Sequence, residues 1–133
     1  MSGFLTATVT SLVMRERPGR RPPPAPQAKL MLLRVEAPPV SFFRYLYAAI
    51  GEAHFWWERR AWSDERLARH LADPDFELSV LYCAGAPAGM AELDLSALAE
   101  QRQIALGPFG LLPDFHGRGF RLDGHLGLRL SRL

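Results

Sequence analysis

Residues 76–95, FELSVLYCAGAPAGMAELDL, decide the fold. Residues 76–84 alternate well enough for a strand, Gly85-Ala86-Pro87 supplies turn residues, and 89–95 run back with apolar side chains. Two strands joined by so short a loop make an antiparallel hairpin. Working outward toward the N-terminus, residues 29–36, KLMLLRVE, form a short apolar run bounded by proline, which predicts a buried strand stopped by Pro38 and Pro39. Residues 40–52 carry large apolar side chains at 42, 43, 46, 47 and 50, the spacing of one helical face, with Gly51 near the end. Ser63 is an N-cap residue, followed by Asp64 and Glu65 where carboxylates complement the helix dipole. Leu67 and Leu71 then make a short helix that stops before Asp73-Pro74. On the C-terminal side, a polar loop at 96–102 precedes a third apolar stretch, 103–112, and a glycine-rich loop leading into a helix. This order predicts an α+β fold with a mixed, mostly antiparallel sheet flanked by helices.

The composition places outer limits on function. A chain of 133 residues is about one domain, and 48% hydrophobic with 23% charged residues is ordinary for a globular protein. No run approaches the roughly 18 apolar residues of a membrane span. The N-terminus has no basic n-region, so a cytoplasmic protein is expected rather than a secreted one. A single cysteine, Cys83, excludes an intramolecular disulfide framework and a cysteine-based zinc site, and it reads as a buried strand residue. A net charge of +2 is too small to argue for nucleic acid. Residues 6–13, TATVTSLV, lean toward a strand, and 18–26, PGRRPPPAP, read as a semi-rigid polyproline connector or, less simply, a partner-binding segment. The expected division is an N-terminal strand and linker at 1–28, a domain at 29–120 and an atypical tail at 121–133.

The stretch that carries chemistry is residues 108–120, PFGLLPDFHGRGF. A strand feeding a glycine-rich loop that opens a helix can cradle an anion on unobstructed main-chain N–H groups. A plain turn is the competing reading. Neither the Walker loop nor the dinucleotide fingerprint is present. Residues 111–120, LLPDFHGRGF, resemble the acetyl-CoA segment of the GNAT superfamily of N-acetyltransferases, whose pattern is a strand, P-x-[FY]-[QR]-G-x-G-[ILF]-G and a helix. The element order and the G-x-P-A-G turn of residues 85–89 add to the resemblance, which covers roughly residues 30–120.

That resemblance implies an acetyl-CoA-dependent N-acetyltransferase. Leu111 and Leu112, on a strand splayed near Phe109-Gly110, would pair with the pantetheine arm. His116, Gly117, Arg118, Gly119, Phe120 and Arg121 would hold the pyrophosphate, mainly through main-chain N–H groups. An amine on a small molecule, a protein N-terminus or a lysine would attack the thioester directly in a ternary complex, beside the loop between the first two helices. The chain departs from the family at His116, where glutamine or arginine is usual, and at Arg121, where glycine is usual. An alternative is a catalytically impaired acyl-CoA-binding or protein-interaction module on the same fold.

Thirteen residues follow Phe120, RLDGHLGLRLSRL, where family members continue through a long helix and further strands. The tail reads either as the cofactor helix, with Leu122, Leu126, Leu130 and Leu133 at helical spacing, or as an out-of-frame translation of a truncated member. The second reading fits fifteen arginines against the single Lys29, a bias expected of a GC-rich gene. A sheet lacking its last strands would expose an apolar edge, so a homodimer is expected.

Two further groups stand out. Glu92 and Asp94, two apart on a strand, face the same side of the sheet and are candidate catalytic residues for relaying a proton; the competing reading is a solvent-facing strip. Eight of the fourteen aromatic residues lie between Phe42 and Trp62. Among them Phe55, Trp56 and Trp57, with His54, are candidate acceptor-binding residues that could enclose an apolar amine or stack on a cation; the competing reading is a hydrophobic plug. His54 and His70 otherwise read as helix-end residues, and no spacing suggests a metal.

Overall fold

In the computed structural model the hairpin forms as β2 (Phe76–Cys83) and β3 (Ala86–Asp94). Cys83 pairs with Ala86, so the loop is Ala84-Gly85 alone, and both residues take positive φ, 49° and 89°. Two positive φ values are what the tight turn matching strand twist requires. The turn thus sits earlier than Gly85-Pro87, because alanine accepts the left-handed conformation here. Pro87, which has no N–H to give, falls beside the register shift at Leu81/Tyr82, where the ladder is already interrupted.

The described residues are 3–16, 19 and 28–120. Along them run β1 (Leu30–Val35), α1 (Val40–Gly51), α2 (Asp64–Leu71), the β2–β3 hairpin, a four-residue α3 (Leu98–Gln101) within the stretch read as a loop, and β4 (Ala105–Leu111). The fold is α+β. The sheet order is β1-β2-β3-β4, and all three described pairings are antiparallel.

β1 is not the buried strand that its apolar run predicts. Among the described strands it pairs with β2 alone, and Met31 and Leu33 remain 57% and 46% exposed. An apolar run reports strand character but not the number of neighbours.

The core lies where α1 and α2 cover one face of the sheet. Phe43, Leu46, Tyr47 and Ile50 from α1 meet Leu67 and Leu71 from α2 and Phe76, Leu78, Val80 and Met90 from the hairpin. Full burial of such a side chain is worth about 1.5–3 kcal/mol, so this one cluster sets where both helices sit. Ser63 caps α2 as read: its Oγ accepts from the Arg66 N–H at 3.2 Å. On the opposite face Leu81 and Ala91 pack with Leu30, Leu32 and Leu111, as alternation along the strands requires.

Residues 6–13 form no strand and are exposed along their length. Strand propensity measures fit to a half-buried pleated surface, and no described strand pairs with this segment. Most of the proline-rich connector (18 and 20–26), Arg121 and the tail of residues 121–133 lie outside the described residues.

Candidate functional site

The connection between α1 and α2 builds one wall. After a 3-10 turn at Glu52–His54 the chain bends through Phe55, a non-glycine residue with φ 57° and ψ 36°. Trp56 then returns over the end of α1: its N–H donates to the Gly51 carbonyl at 3.0 Å, and its ring lies where any side chain at position 51 would collide. Its ring centroid is 5.3 Å from that of Tyr47. Phe55 and Trp57 project outward, each 72% exposed. A second 3-10 turn, Glu58–Ala61, carries Arg59 inward, and the Arg59 N–H donates to the Tyr47 hydroxyl at 3.3 Å.

Behind that wall is an ionic cluster. Glu92 is buried in the middle of β3, and its Oε1 accepts from Arg59 Nη1 at 2.5 Å. His70 Nε2 lies 3.0 Å from the same Nη1 and 3.5 Å from Oε1. A guanidinium can only donate, so Nε2 is the acceptor of the Arg59 contact. The Arg59 guanidinium also lies 4.9 Å from the Trp62 ring centroid. His70 packs against Phe76 at 4.5 Å and edge-on to Trp62 at 5.3 Å.

The register of β4 makes room for this carboxylate. Ala91 pairs with Phe109 and Leu93 with Leu106, so Gly107 and Pro108 together stand opposite Glu92 in a bulge. A Cβ at Gly107 would lie 2.7 Å from Glu92 Oε2. The irregularity therefore falls at Gly107-Pro108 rather than at Phe109-Gly110, which stay paired with β3. Proline, having no N–H, marks where the ladder breaks.

Asp94 shares Glu92's face of the sheet but not its surroundings. It is exposed at the end of β3, where hydrogen bonds from the Ser96 hydroxyl and N–H hold its carboxyl below the ordinary value. Among the described residues no hydrogen bond joins the two carboxylates, and Glu92 is not part of a solvent-facing strip.

Beyond β4 the chain enters the glycine-rich loop. The Leu112 N–H donates to the Ala88 carbonyl at 2.8 Å, which turns Leu111's own main-chain groups toward the outer edge of β4. The Leu111 carbonyl accepts from His116 Nε2 at 2.9 Å. A 3-10 turn at Pro113–Phe115 follows, and then Gly117 and Gly119 with φ of 73° and 75°. The N–H groups of Gly117, Gly119 and Phe120 have no acceptor among the described residues, while residues 116–117 form a hydrogen-bonded turn that closes on Arg118. The Arg118 guanidinium lies over the Phe115 ring at 5.2 Å, and the His116 ring is 6.3 Å from that of His54.

Two clefts flank these parts. One, of about 270 Å³, lies between α1 and the Arg59 turn and is lined by Phe43, Arg44, Tyr47, Arg60 and Leu67. The other, of about 660 Å³, is open to solvent and brings the predicted Phe55, Trp56 and Trp57 against Gly107, Pro108 and Phe109, with Val9 and Thr10 also lining it. His54 does not line it and lies instead toward the loop. Sequence reading missed Glu58, Arg59, His70 as a partner of Glu92, and the role of Gly107. Among the described residues no group of three or more histidine, cysteine, aspartate or glutamate side chains could hold a metal, and no helix is long and apolar enough to cross a membrane. No protein-family model matches the chain, and no curated protein matches it.

Proposed function

We propose that this chain binds acetyl-CoA and transfers the acetyl group to an amine, as its resemblance to the GNAT acetyltransferases implies. The observation that carries this reading is the unit after β4: the main-chain N–H groups of Gly117, Gly119 and Phe120 without acceptors among the described residues, two glycines at positive φ, and Arg118 in the same loop. Open donors on a glycine-containing loop suit a pyrophosphate, which needs several donors and no side chain in the way. The outward-facing Leu111 groups suit the pantetheine amides, provided the His116 ring leaves the Leu111 carbonyl.

In the reaction the amine nitrogen attacks the thioester carbonyl, the C–N bond forms, and the C–S bond breaks. The sulfur leaves as CoA thiolate and the amine gives up a proton. Of the two carboxylates on β3, Glu92, whose Oε2 lies against Gly107 of β4, is the one placed beside β4 to take it; Asp94 is held at the surface by Ser96.

A thermal shift with acetyl-CoA is the test. A ligand at 100 times its Kd stabilises by about 2.7 kcal/mol, which raises Tm by several degrees in a domain of this size. No shift at saturating acetyl-CoA rejects the reading. A shift without CoA release across a panel of amines selects the second reading, an acyl-CoA-binding module without turnover. That reading is favoured by one feature: Arg59 already occupies Glu92 Oε1.

A further inference from the structure

We propose that the outer edge of β1 is a self-association surface. A second copy of this chain pairs its own β1 there, antiparallel and about a two-fold axis at Leu32, so that the two sheets continue as one.

The pairing with β2 fixes which main-chain groups of β1 face outward. The Ala84 N–H donates to the Lys29 carbonyl at 2.8 Å, so in this antiparallel ladder the odd-numbered residues of β1 turn their N–H and C=O groups toward β2. Those of Leu30, Leu32 and Arg34 therefore point away from the sheet. Among the described residues one of them has a partner: the Leu30 N–H donates to the Ala28 carbonyl at 2.9 Å.

Sheet edges usually carry a guard, such as a proline, a bulge or an outward charge. The edge at β4 has Pro108, the bulge opposite Glu92, and the His116 ring on the Leu111 carbonyl. β1 has no such guard. Its register with β2 runs without a shift from Leu30 to Val35, and no proline interrupts it. Its one charged residue, Arg34, reaches back to Glu77 of β2 at 3.6 Å. Met31 and Leu33 stay exposed on the face that carries the helices, the face on which Val35 joins the core. The association expected of the C-terminal edge thus falls to β1.

The strand is complementary to its own inverse. A two-fold axis across two antiparallel strands keeps like faces on one side, so an odd position meets an odd one and an even position an even one. With the axis at Leu32, the Leu32 N–H meets the carbonyl of the partner's Leu32, and the Arg34 N–H meets that of the partner's Leu30, each bond made twice. Met31 then stands opposite the partner's Leu33 in the close, non-hydrogen-bonded position where facing side chains touch most. These are the two apolar side chains that the single chain leaves exposed. With the axis at Leu33, Met31 would instead meet the partner's Val35, which is already packed in its own core. With the axis at Arg34, two guanidinium groups would oppose each other. Lys29 and the partner's Glu36 bring unlike charges to each end of the seam.

The test is sedimentation velocity of the full chain from about 1 to 300 μM, with a Kd of about 10–100 μM expected of so small a seam. Leu33→Lys and Met31→Glu should each weaken association at least about tenfold, since each changes two symmetry-related contacts. Both side chains are at the surface, and an unchanged circular dichroism spectrum confirms that the fold is kept. An equimolar mixture of the two variants should recover association, because the introduced carboxylate then faces the introduced ammonium. Leu106→Lys on β4 and Val9→Pro in the exposed N-terminal segment should leave association unchanged. A monomer across the whole range, a species larger than a dimer, or either β1 variant associating like the parent would overturn the proposal. So would a mixture no better than its components, or loss of association in Leu106→Lys or Val9→Pro.

Discussion

Two arginine–carboxylate pairs fasten the connection between α1 and α2, and they differ in almost everything but chemistry. Arg44 reaches Asp64 Oδ1 with Nε at 3.0 Å and Nη2 at 2.7 Å and also donates to the Trp62 carbonyl at 2.8 Å. Its side chain is 34% exposed and that of Asp64 73%. Arg59 and Glu92 are 13% and 3% exposed. Water competes for the first pair and holds its net value near 0–1 kcal/mol, roughly the median for exposed pairs. The second pair is cut off from water, so losing one partner strands a charge. The outer pair trims a local geometry, whereas the inner pair dictates where the connection rests on the sheet.

The contrast is tested most severely at Glu92. Glu92→Ala should cost about 3–5 kcal/mol by urea unfolding, because Arg59 keeps its charge without its partner. The double variant Arg59→Met with Glu92→Leu should recover most of that loss. A cost below about 1 kcal/mol for Glu92→Ala would make the pairs equivalent and break the comparison.

A step down is Gly107→Ala. Its Cβ would lie 2.7 Å from Glu92 Oε2, so the carboxylate or β4 must shift, at about 1–3 kcal/mol. Combined with Glu92→Ala the two effects should fall short of additive, since the smaller side chain removes the 2.7 Å contact and leaves only the 3.0 Å approach to its Cβ. Strict additivity would mean that Gly107 serves something other than the carboxylate.

Asp64→Asn should cost no more than about 1 kcal/mol, and high salt should narrow even that. A larger, salt-insensitive loss would assign the outer pair a weight its exposure does not support.

The smallest effect concerns Asp94. Its folded-state pKa is lowered from 3.8 by the Ser96 hydrogen bonds, so its contribution is complete above that value and is lost as pH falls below it. Asp94→Asn should flatten this part of the acid limb and leave stability at neutral pH nearly unchanged. An acid limb identical to that of the parent would show that the Ser96 bonds are not maintained in solution.

Legibility in the sequence follows from the range over which each signal acts. The hairpin, the apolar face of α1 and the Ser63 cap are written within a few residues and were readable. The turn at Ala84 escapes local reading because alanine does not advertise a positive φ. The edge position of β1 depends on which strands lie beside it, which no local run encodes. The aromatic wall was visible as a cluster, but its partner in β4 was not. Glu92 was visible as an acidic residue on an apolar strand, yet Arg59 lies 33 positions away and joins it only through the tertiary fold.

The two-residue turn at Ala84-Gly85 bears on the order in which the molecule assembles. β2 and β3 can zip from that turn with almost no chain to close, whereas β1 reaches β2 only after a detour of roughly forty residues through both helices. Early hairpin formation and late arrival of β1 are the expected sequence. Truncations at Met31 should then speed unfolding while leaving refolding rates nearly unchanged, with the opposite split for substitutions in the turn. The stretch on which the fold is most easily recognised is also the one from which it grows.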